Sequence, residues 1–222
     1  MTEVVIRNQE FLDRLNAISD ELFNMPDYNN SLYWAHHSKE GITAGTKYTD
    51  EPYLRECLSM DEPIGAPVKH FAQPIAKMCK EAPHIWNDYR DRVKYGFAKE
   101  IGAHTSALLC YYPPGGYVGW HTNWDAGAYQ ILFTWSDGNG HFRYYDKEND
   151  EIITLPDVKG WQCRHYYFGS QPHDLCWHSA YSGGERITLA YKFVNGGIAD
   201  GGKQDTQAKL MRDMLIEEIE SE

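Results

Sequence analysis

The second half of the chain is a succession of short strand-like segments, and this pattern constrains the fold more than any other feature. Turn-forming residues separate seven such segments between about residues 105 and 194, and no helical stretch lies between them. The segments are SALLCYY, YQILFTWS, HFRYYD, EIITL, CRHYYFG, LCWHSAY and RITLAYKF. Short strands with regular turn signals are typical of antiparallel barrels and sandwiches. The sequence therefore predicts a mainly β fold with flanking helices.

The segments on either side of this β region are expected to supply the helices. Near the N-terminus, four apolar residues follow a helical spacing, and Pro26 is expected to end that helix. These residues are Phe11, Leu15, Ile18 and Leu22. A second helical segment is predicted around residues 67–92, with interruptions near Pro74 and Pro83. The amphipathic segment DTQAKLMRDMLIEEIE predicts a terminal helix. We expect a single domain of 222 residues, with helical and loop support and a lid in 1–104, the β core in 105–194, and a C-terminal loop and helix in 195–222.

Composition and charge argue against several classes of function. The net charge is −11 and no cluster of Lys and Arg is evident, so binding to a phosphate backbone is disfavoured. No apolar run approaches the length of a membrane span, and the N-terminal MTEVVIRNQE does not have the pattern of a signal peptide. The five cysteines form no C-x-x-C pair, so neither a disulfide framework nor structural zinc is expected. The expected location is the cytoplasm.

A candidate metal site lies in the stretch YYPPGGYVGWHTNWD, residues 111–125. His121 follows a strand-like run, and residue 123 lies on the same face under period-2 spacing. A second histidine, His178, is in the late segment LCWHSAY. Two imidazoles and a carboxylate on one face are the ligands that non-haem Fe(II) oxygenases use. However, Asn123 occupies the position where the carboxylate is expected.

Arg186 opens the last strand-like segment, eight residues after His178. A buried arginine at that position could pair with the distal carboxylate of a 2-oxo acid that chelates the iron. His173, in the Pro-marked loop SQPHDLCWH, is the alternative to His178 as the distal ligand. Arg143 is a candidate contact to substrate or cosubstrate, although an ion pair with an acidic residue would also explain it. Trp120 and Trp124 could line a substrate cleft or pack in the core.

The segment from Leu109 to Phe193 resembles the double-stranded β-helix (jelly-roll, cupin-like) core of the Fe(II)/2-oxoglutarate-dependent oxygenases. Locally it is most similar to AlkB-type dealkylases and to the prolyl-hydroxylase-like proteins that many phages and bacteria carry. That pattern consists, in chain order, of a strand with a tyrosine, a Pro-Gly turn, a proximal histidine, a distal histidine after an aromatic residue, and an arginine. This sequence has Tyr112, Pro114-Gly115, His121, Trp177-His178 and Arg186.

The resemblance implies a role for each matching residue. His121 and His178 would hold Fe(II), and Tyr112 and Arg186 would bind 2-oxoglutarate. Lys192, six residues after Arg186, stands where AlkB-type proteins have a second arginine. The departure from the H-x-D motif leaves several possibilities for the third ligand. Asn123 could bind through its carbonyl oxygen, Asp125 could curl in to supply a carboxylate, the position could stay open to water or a halide, or the metal could be lost.

These observations predict a dioxygenase that uses Fe(II), 2-oxoglutarate and O2 and hydroxylates an unidentified small molecule or protein side chain. Succinate and CO2 would be the coproducts. Two alternatives remain open at this point. One is a non-catalytic metal- or ligand-binding protein of the same fold. The other is an oxidative dealkylase of nucleic acid, which the net charge of −11 disfavours.

Overall fold

The computed structural model describes residues 1–25, 44, 46–60, 69–74, 83–123, 127–170, 173–194 and 205–222. The helices are α1 (Gln9–Phe23), α2 (Glu51–Leu58), α3 (Pro83–Asp91), a π-helical segment (Arg92–Gly96), α4 (Phe97–Glu100) and α5 (Thr206–Glu220). The strands are β1 (Thr2–Val4), β2 (His70–Phe71), β3 (Gln73–Pro74), β4 (Thr105–Tyr112), β5 (Tyr117–His121), β6 (Ala128–Asp137), β7 (Gly140–Asp146), β8 (Glu151–Pro156), β9 (Lys159–Phe168), β10 (His178–Ser182) and β11 (Arg186–Phe193).

The strands form two antiparallel sheets. The larger sheet has the order β1-β9-β6-β11-β4-β3, and the smaller has the order β2-β5-β10-β7-β8. From β4 to β11 the chain passes from one sheet to the other and back, so that β9-β6-β11-β4 faces β5-β10-β7-β8. This strand order is that of the double-stranded β-helix, a form of jelly roll. The predicted fold, mainly β with flanking helices, is confirmed.

The two faces of the larger sheet have different partners. On β6, Tyr129, Ile131 and Phe133 belong to the main apolar cluster, which also contains buried residues of α1, α3, α4 and α5. The alternating residues Gln130 and Leu132 line a cavity between the two sheets. The strand therefore buries both faces, an apolar face against the helices and a mixed face toward the interior of the jelly roll.

The first and the last predicted helix are both present in the structure. Helix α1 begins after Asn8, whose side chain accepts a hydrogen bond from the backbone N–H of Phe11. Helix α5 covers the predicted amphipathic tail and buries Ala208, Leu215 and Ile219. Pro26, the expected end of α1, lies outside the described residues. Within the part of the chain that the structure describes, no helix is long and apolar enough to cross a bilayer.

The helix predicted around residues 67–92 is wrong in its first part. Residues 70–71 and 73–74 are short edge strands, and the helix begins at Pro83. Strand β2 pairs with Tyr117 and Val118 of β5, and β3 pairs with Tyr111 and Cys110 of β4. Pairing with strands that lie more than 30 residues later overrides the local preference, and proline is tolerated in such an edge strand.

Candidate active site

Two histidines face each other across neighbouring strands of the smaller sheet. His121 is the last residue of β5 and His178 the first of β10, and the two are register partners. Their ring centroids are 4.1 Å apart, and both side chains are buried. The turn before β5 depends on glycine, because Gly115 has φ of 79°. The topology thus brings together the two histidines that the sequence predicted as metal ligands.

Backbone hydrogen bonds fix the tautomer of both rings. Nδ1 of His121 lies 2.8 Å from the carbonyl oxygen of Gly119, and Nδ1 of His178 lies 2.9 Å from that of Cys176. Because a carbonyl oxygen can only accept, each Nδ1 carries the proton. The Nε2 atoms therefore keep their lone pairs, as in histidines that bind metals.

Burial also keeps the two rings uncharged. It lowers the pKa of His121 to about 4. Burial, followed by the proximity of His121, lowers the pKa of His178 well below its ordinary value. Both imidazoles are thus neutral at neutral pH, which is the form that coordinates a metal ion.

A cavity of about 250 Å³ lies between the two sheets. Its wall includes six residues that the family resemblance assigned to metal or cosubstrate: Tyr112, His121, Asn123, His178, Arg186 and Lys192. Asp125 lies outside the described residues. His173 is exposed and does not line the cavity, so the structure places His178 at the site and His173 away from it.

Arg186 is buried at one end of this cavity. It opens β11 opposite Tyr112 of β4, and its guanidinium lies 4.9 Å from the centroid of the Tyr112 ring. Nε donates to Asp157 Oδ2 at 2.9 Å, and Nη1 donates to Thr188 Oγ1 at 2.5 Å. Burial opposes the charge, but Asp157 and Tyr112 outweigh it and hold the pKa of Arg186 above its ordinary value.

Asp157 is a central residue of the site that sequence reasoning missed. Its side chain is 0% exposed, and it also accepts a hydrogen bond from Gln162 Nε2 at 3.2 Å and lies 3.8 Å from Arg164 Nη1. In the sequence, TLPDVKG indicates only a polar turn between two strands. An acidic residue directly after a strand end was the available signal, but the identity of its partners depends on the tertiary structure.

At the other end of β11, Lys192 lies opposite Gln130 of β6, and both line the cavity. The side chain of Gln130 is buried, and its Nε2 has no hydrogen-bond partner among the described residues. Sequence reasoning missed Gln130 as well. The available signal was the alternation Gln130, Leu132, Thr134 opposite the apolar Tyr129, Ile131, Phe133. A polar face of that kind is usually exposed to solvent, whereas here it faces the interior.

Two other predicted residues have structural partners. Arg143 donates to the carbonyl oxygen of Thr49 at 2.8 Å and to Asp50 Oδ1 at 3.1 Å, and it does not line the cavity. The ion-pair explanation therefore accounts for Arg143. Trp120 packs in an aromatic cluster and donates from Nε1 to the carbonyl oxygen of Asp50 at 3.1 Å. Trp124 lies outside the described residues.

The donor set fits a divalent transition metal held by two imidazoles. His121 and His178 supply two nitrogen donors in the required tautomer. Asn123, two residues after His121, lines the same cavity and carries an amide oxygen that could be a further donor. Among the residues that the structure describes, no group of three or more His, Cys, Asp or Glu could hold a metal ion. A third charged ligand is thus missing from the described part of the wall.

Comparison with known proteins gives structural neighbours only. No protein-family model matches the sequence, and no curated protein matches it. Among solved structures, the chain is similar to a prolyl-4-hydroxylase from Pseudomonas putida, with 14% identity and a TM-score of 0.31 over 80% of this chain and 98% of that one. It is also similar to a rice dioxygenase for auxin oxidation, with 15% identity and a TM-score of 0.32 over 90% of this chain and 80% of that one.

A third similar structure is OsALKBH1, with 13% identity and a TM-score of 0.31 over 48% of this chain. The chain spans 63% of the length of OsALKBH1, and 38% of that of YcfD, a ribosomal oxygenase from Escherichia coli. Because these TM-scores are low, the fold assignment depends on the strand order of the two sheets. Several of the similar structures are named as oxygenases, hydroxylases or dioxygenases.

Proposed function

We propose that the protein is an Fe(II)- and 2-oxoglutarate-dependent dioxygenase that hydroxylates a substrate, with succinate and CO2 as coproducts. One observation carries the proposal. A single cavity of about 250 Å³ is lined both by a pair of buried neutral histidines and by the buried guanidinium of Arg186. The histidine pair suits a metal ion, and the guanidinium suits a carboxylate. A 2-oxo acid with a distal carboxylate would therefore bind the metal at one end and Arg186 at the other.

His121 and His178 would hold the iron through Nε2, with Asn123 as a neutral third ligand. Bound iron would supply oxygen activation coupled to decarboxylation of 2-oxoglutarate. The protein's contribution to the metal is orientation, because the carbonyl oxygens of Gly119 and Cys176 fix both rings. Asp125 remains the alternative third ligand.

Arg186 would bind the distal carboxylate of 2-oxoglutarate. Asp157 and Thr188 occupy two of its N–H donors and thereby hold the guanidinium plane in place. The other donors of the fork are available for a charge-assisted hydrogen bond to an incoming carboxylate. Tyr112 covers one face of the guanidinium.

The rest of the wall excludes water from the reacting groups. The ring of His178 contacts those of Phe142 and Phe168, at centroid distances of 5.7 and 4.7 Å. Val118 and Leu132 add apolar surface to the cavity. A dry site strengthens each charged interaction inside it and limits side reactions.

The proposal is tested by anaerobic titration with Fe(II) and 2-oxoglutarate. We expect the weak visible metal-to-ligand band of the chelate only when both are present, and slow formation of succinate when O2 is admitted. His178→Ala should abolish both signals. His173→Ala, which removes an exposed histidine outside the cavity, is the matched control and should leave them unchanged. Absence of the band in the folded wild-type protein would refute the proposal.

One observation favours a second candidate, a non-catalytic protein that binds the same ligands. This observation is the neutral Asn123 in place of a carboxylate. Asn123→Asp distinguishes the two candidates. A wild-type protein that binds metal and 2-oxoglutarate but forms no succinate, while Asn123→Asp does form it, would support the non-catalytic alternative. Succinate formation by the wild type would exclude it.

A further inference from the structure

We propose that the protein has a second ligand site, a basic pocket beside α4 that binds the phosphate group of a small molecule. The pocket is a cavity of about 320 Å³ between the π-helical segment, the end of α4 and the beginning of β4. Its wall includes Lys94, Tyr95, Lys99, Gly102, His104 and Thr105. None of these residues lines the proposed active-site cavity, so the inference does not depend on the proposed function.

The two lysines of this pocket come from successive helical segments. Lys94 belongs to the π-helical segment (Arg92–Gly96), and Lys99 belongs to α4. A π-helical turn is rare, and such turns frequently occur at functional sites. The ammonium group of Lys94 lies 5.1 Å from the centroid of the Tyr95 ring, a contact that favours one position of the lysine. The fold thus brings two basic side chains to one concave surface.

Neither lysine is neutralised by an acidic side chain of the part of the chain that the structure describes. No ion pair among those residues includes Lys94 or Lys99, and no Asp or Glu among them lines the pocket. Glu100, the acidic residue next to Lys99, pairs with Arg14 instead. The pocket therefore concentrates positive charge on a protein with a net charge of −11, and an anion would complement it.

A lysine near the end of a helix can also serve to satisfy the last carbonyl groups of that helix. Here the backbone does so without a side chain. The N–H groups of residues 101–103 donate to the carbonyl oxygens of residues 97–99 at 2.8 to 3.2 Å. Gly102 permits this turn, because its φ is 69°. The side chain of Lys99 is therefore not required as a cap and is available to a ligand.

The charge of the pocket favours a phosphate group over a carboxylate. A phosphate monoester carries a charge of about −1.5 to −2 at neutral pH, whereas a carboxylate carries only −1. Two ammonium groups match the larger charge. Lysine binds phosphate as a point charge, without the fixed bidentate geometry that pairs arginine with a carboxylate. Thr105 adds a hydroxyl group to the wall, and a hydroxyl can donate a hydrogen bond to a phosphate oxygen.

The pocket and the active-site cavity lie at the same end of β4 and β11. Thr105 of the pocket is the register partner of Lys192, which lines the active-site cavity. Ala107 and Leu108 also line that cavity, and both are exposed, so the cavity reaches solvent at this end of β4. The phosphate could therefore come from two sources. One is the substrate of the neighbouring active site, and the other is a separate small molecule.

The test is an NMR titration of the ¹⁵N-labelled protein with inorganic phosphate at constant ionic strength. We expect saturable shifts of the amide signals of Gly102, Ala103 and His104. Lys94→Met and Lys99→Met should each weaken phosphate by about five- to tenfold, between the effect of an exposed ion pair and that of a hydrogen bond to a charged group. Shifts that do not saturate, or that chloride produces equally, would overturn the proposal.

Two further variants separate a specific site from a general effect of charge or folding. Lys159→Met makes the same change at an exposed lysine of the larger sheet and should leave the phosphate affinity unaltered. An equal loss in Lys159→Met would show that phosphate responds only to the overall charge, and would overturn the pocket. Lys99→Arg keeps the positive charge and should retain most of the affinity. A loss in Lys99→Arg as large as that in Lys99→Met would also overturn it.

A second assay distinguishes the two sources of the phosphate. Succinate formation from 2-oxoglutarate is measured in the iron-loaded protein with and without inorganic phosphate. A change in rate that Lys94→Met removes would support the pocket and couple it to the active site, as expected for a phosphate of the substrate. Saturable binding without any change in rate would support the pocket as the site of a separate ligand. The NMR titration needs neither metal nor 2-oxoglutarate, so it tests the pocket even if the proposed function fails.

Discussion

Asp157→Asn is expected to destabilise the fold more than any exposed charge substitution. The Asp157 side chain is 0% exposed, and its partners Arg186 and Arg164 are 2% and 9% exposed. Asparagine keeps the shape and one oxygen acceptor but removes the charge that compensates two buried guanidinium groups. Breaking a buried ion pair from one side costs about 3–5 kcal/mol of unfolding free energy. For a chain of this size, that corresponds to a drop of about 6–20 °C in the melting temperature.

Urea unfolding at neutral pH measures this cost, provided that the variant and the wild type have the same m-value. Glu21→Gln is the control, because the pair of Glu21 with Arg92 is exposed, with side-chain exposures of 40% and 52%. It should cost under about 1 kcal/mol. Equal costs for Asp157→Asn and Glu21→Gln would refute the reasoning. Adding Arg186→Met to Asp157→Asn should recover part of the loss, because it removes one uncompensated cation.

Three further predictions concern the site and its surroundings. His178→Ala should abolish Mn(II) binding, whereas His173→Ala should not, and calorimetry that shows the reverse would exchange the two assignments. Arg186→Ala should weaken 2-oxoglutarate by about 30- to several-thousand-fold and Mn(II) far less, and equal losses would mean that Arg186 only supports the fold. Burial, followed by Arg143, lowers the pKa of His141 from 6.5 to about 4, so the unfolded chain binds more protons than the folded one between these values. The free energy of unfolding should therefore fall as the pH falls through this window. His141→Gln should reduce the slope of the urea midpoint against pH. An unchanged slope would show that His141 does not contribute to this pH dependence.

The fold class could be predicted from the sequence because the strands of this jelly roll are short and are recognisable from nearby residues. Alternation and turn residues report directly on strand formation, and each of the seven predicted segments overlaps a strand of the structure. The placement of Tyr112, His121 and Arg186 on one cavity was also predictable. Their order along the chain matched a known pattern, and each is the first or last residue of a strand.

The parts that were not predicted depend on pairing between distant segments. Strands β2 and β3 are two residues each and exist only through their pairing with β5 and β4. Asp157 becomes a partner of Arg186 only when the end of β8 meets the beginning of β11. Gln130 was not predicted because its strand has one apolar and one mixed face, and a single sequence does not show which face meets a second sheet.

The charges of the site suggest how its ligands depend on one another. Asp157 compensates Arg186 and is shared with Arg164, and both histidines are neutral. A divalent metal held by His121, His178 and the amide of Asn123 would add two more positive charges to a buried volume, and this is costly unless an anion accompanies it. The dianion 2-oxoglutarate supplies that charge, so metal and cosubstrate should each raise the affinity for the other by the same factor. A carboxylate at position 123 would provide one of these charges permanently and weaken the coupling. If Asn123 is the third ligand, as proposed, we therefore expect metal retention to depend on the cosubstrate.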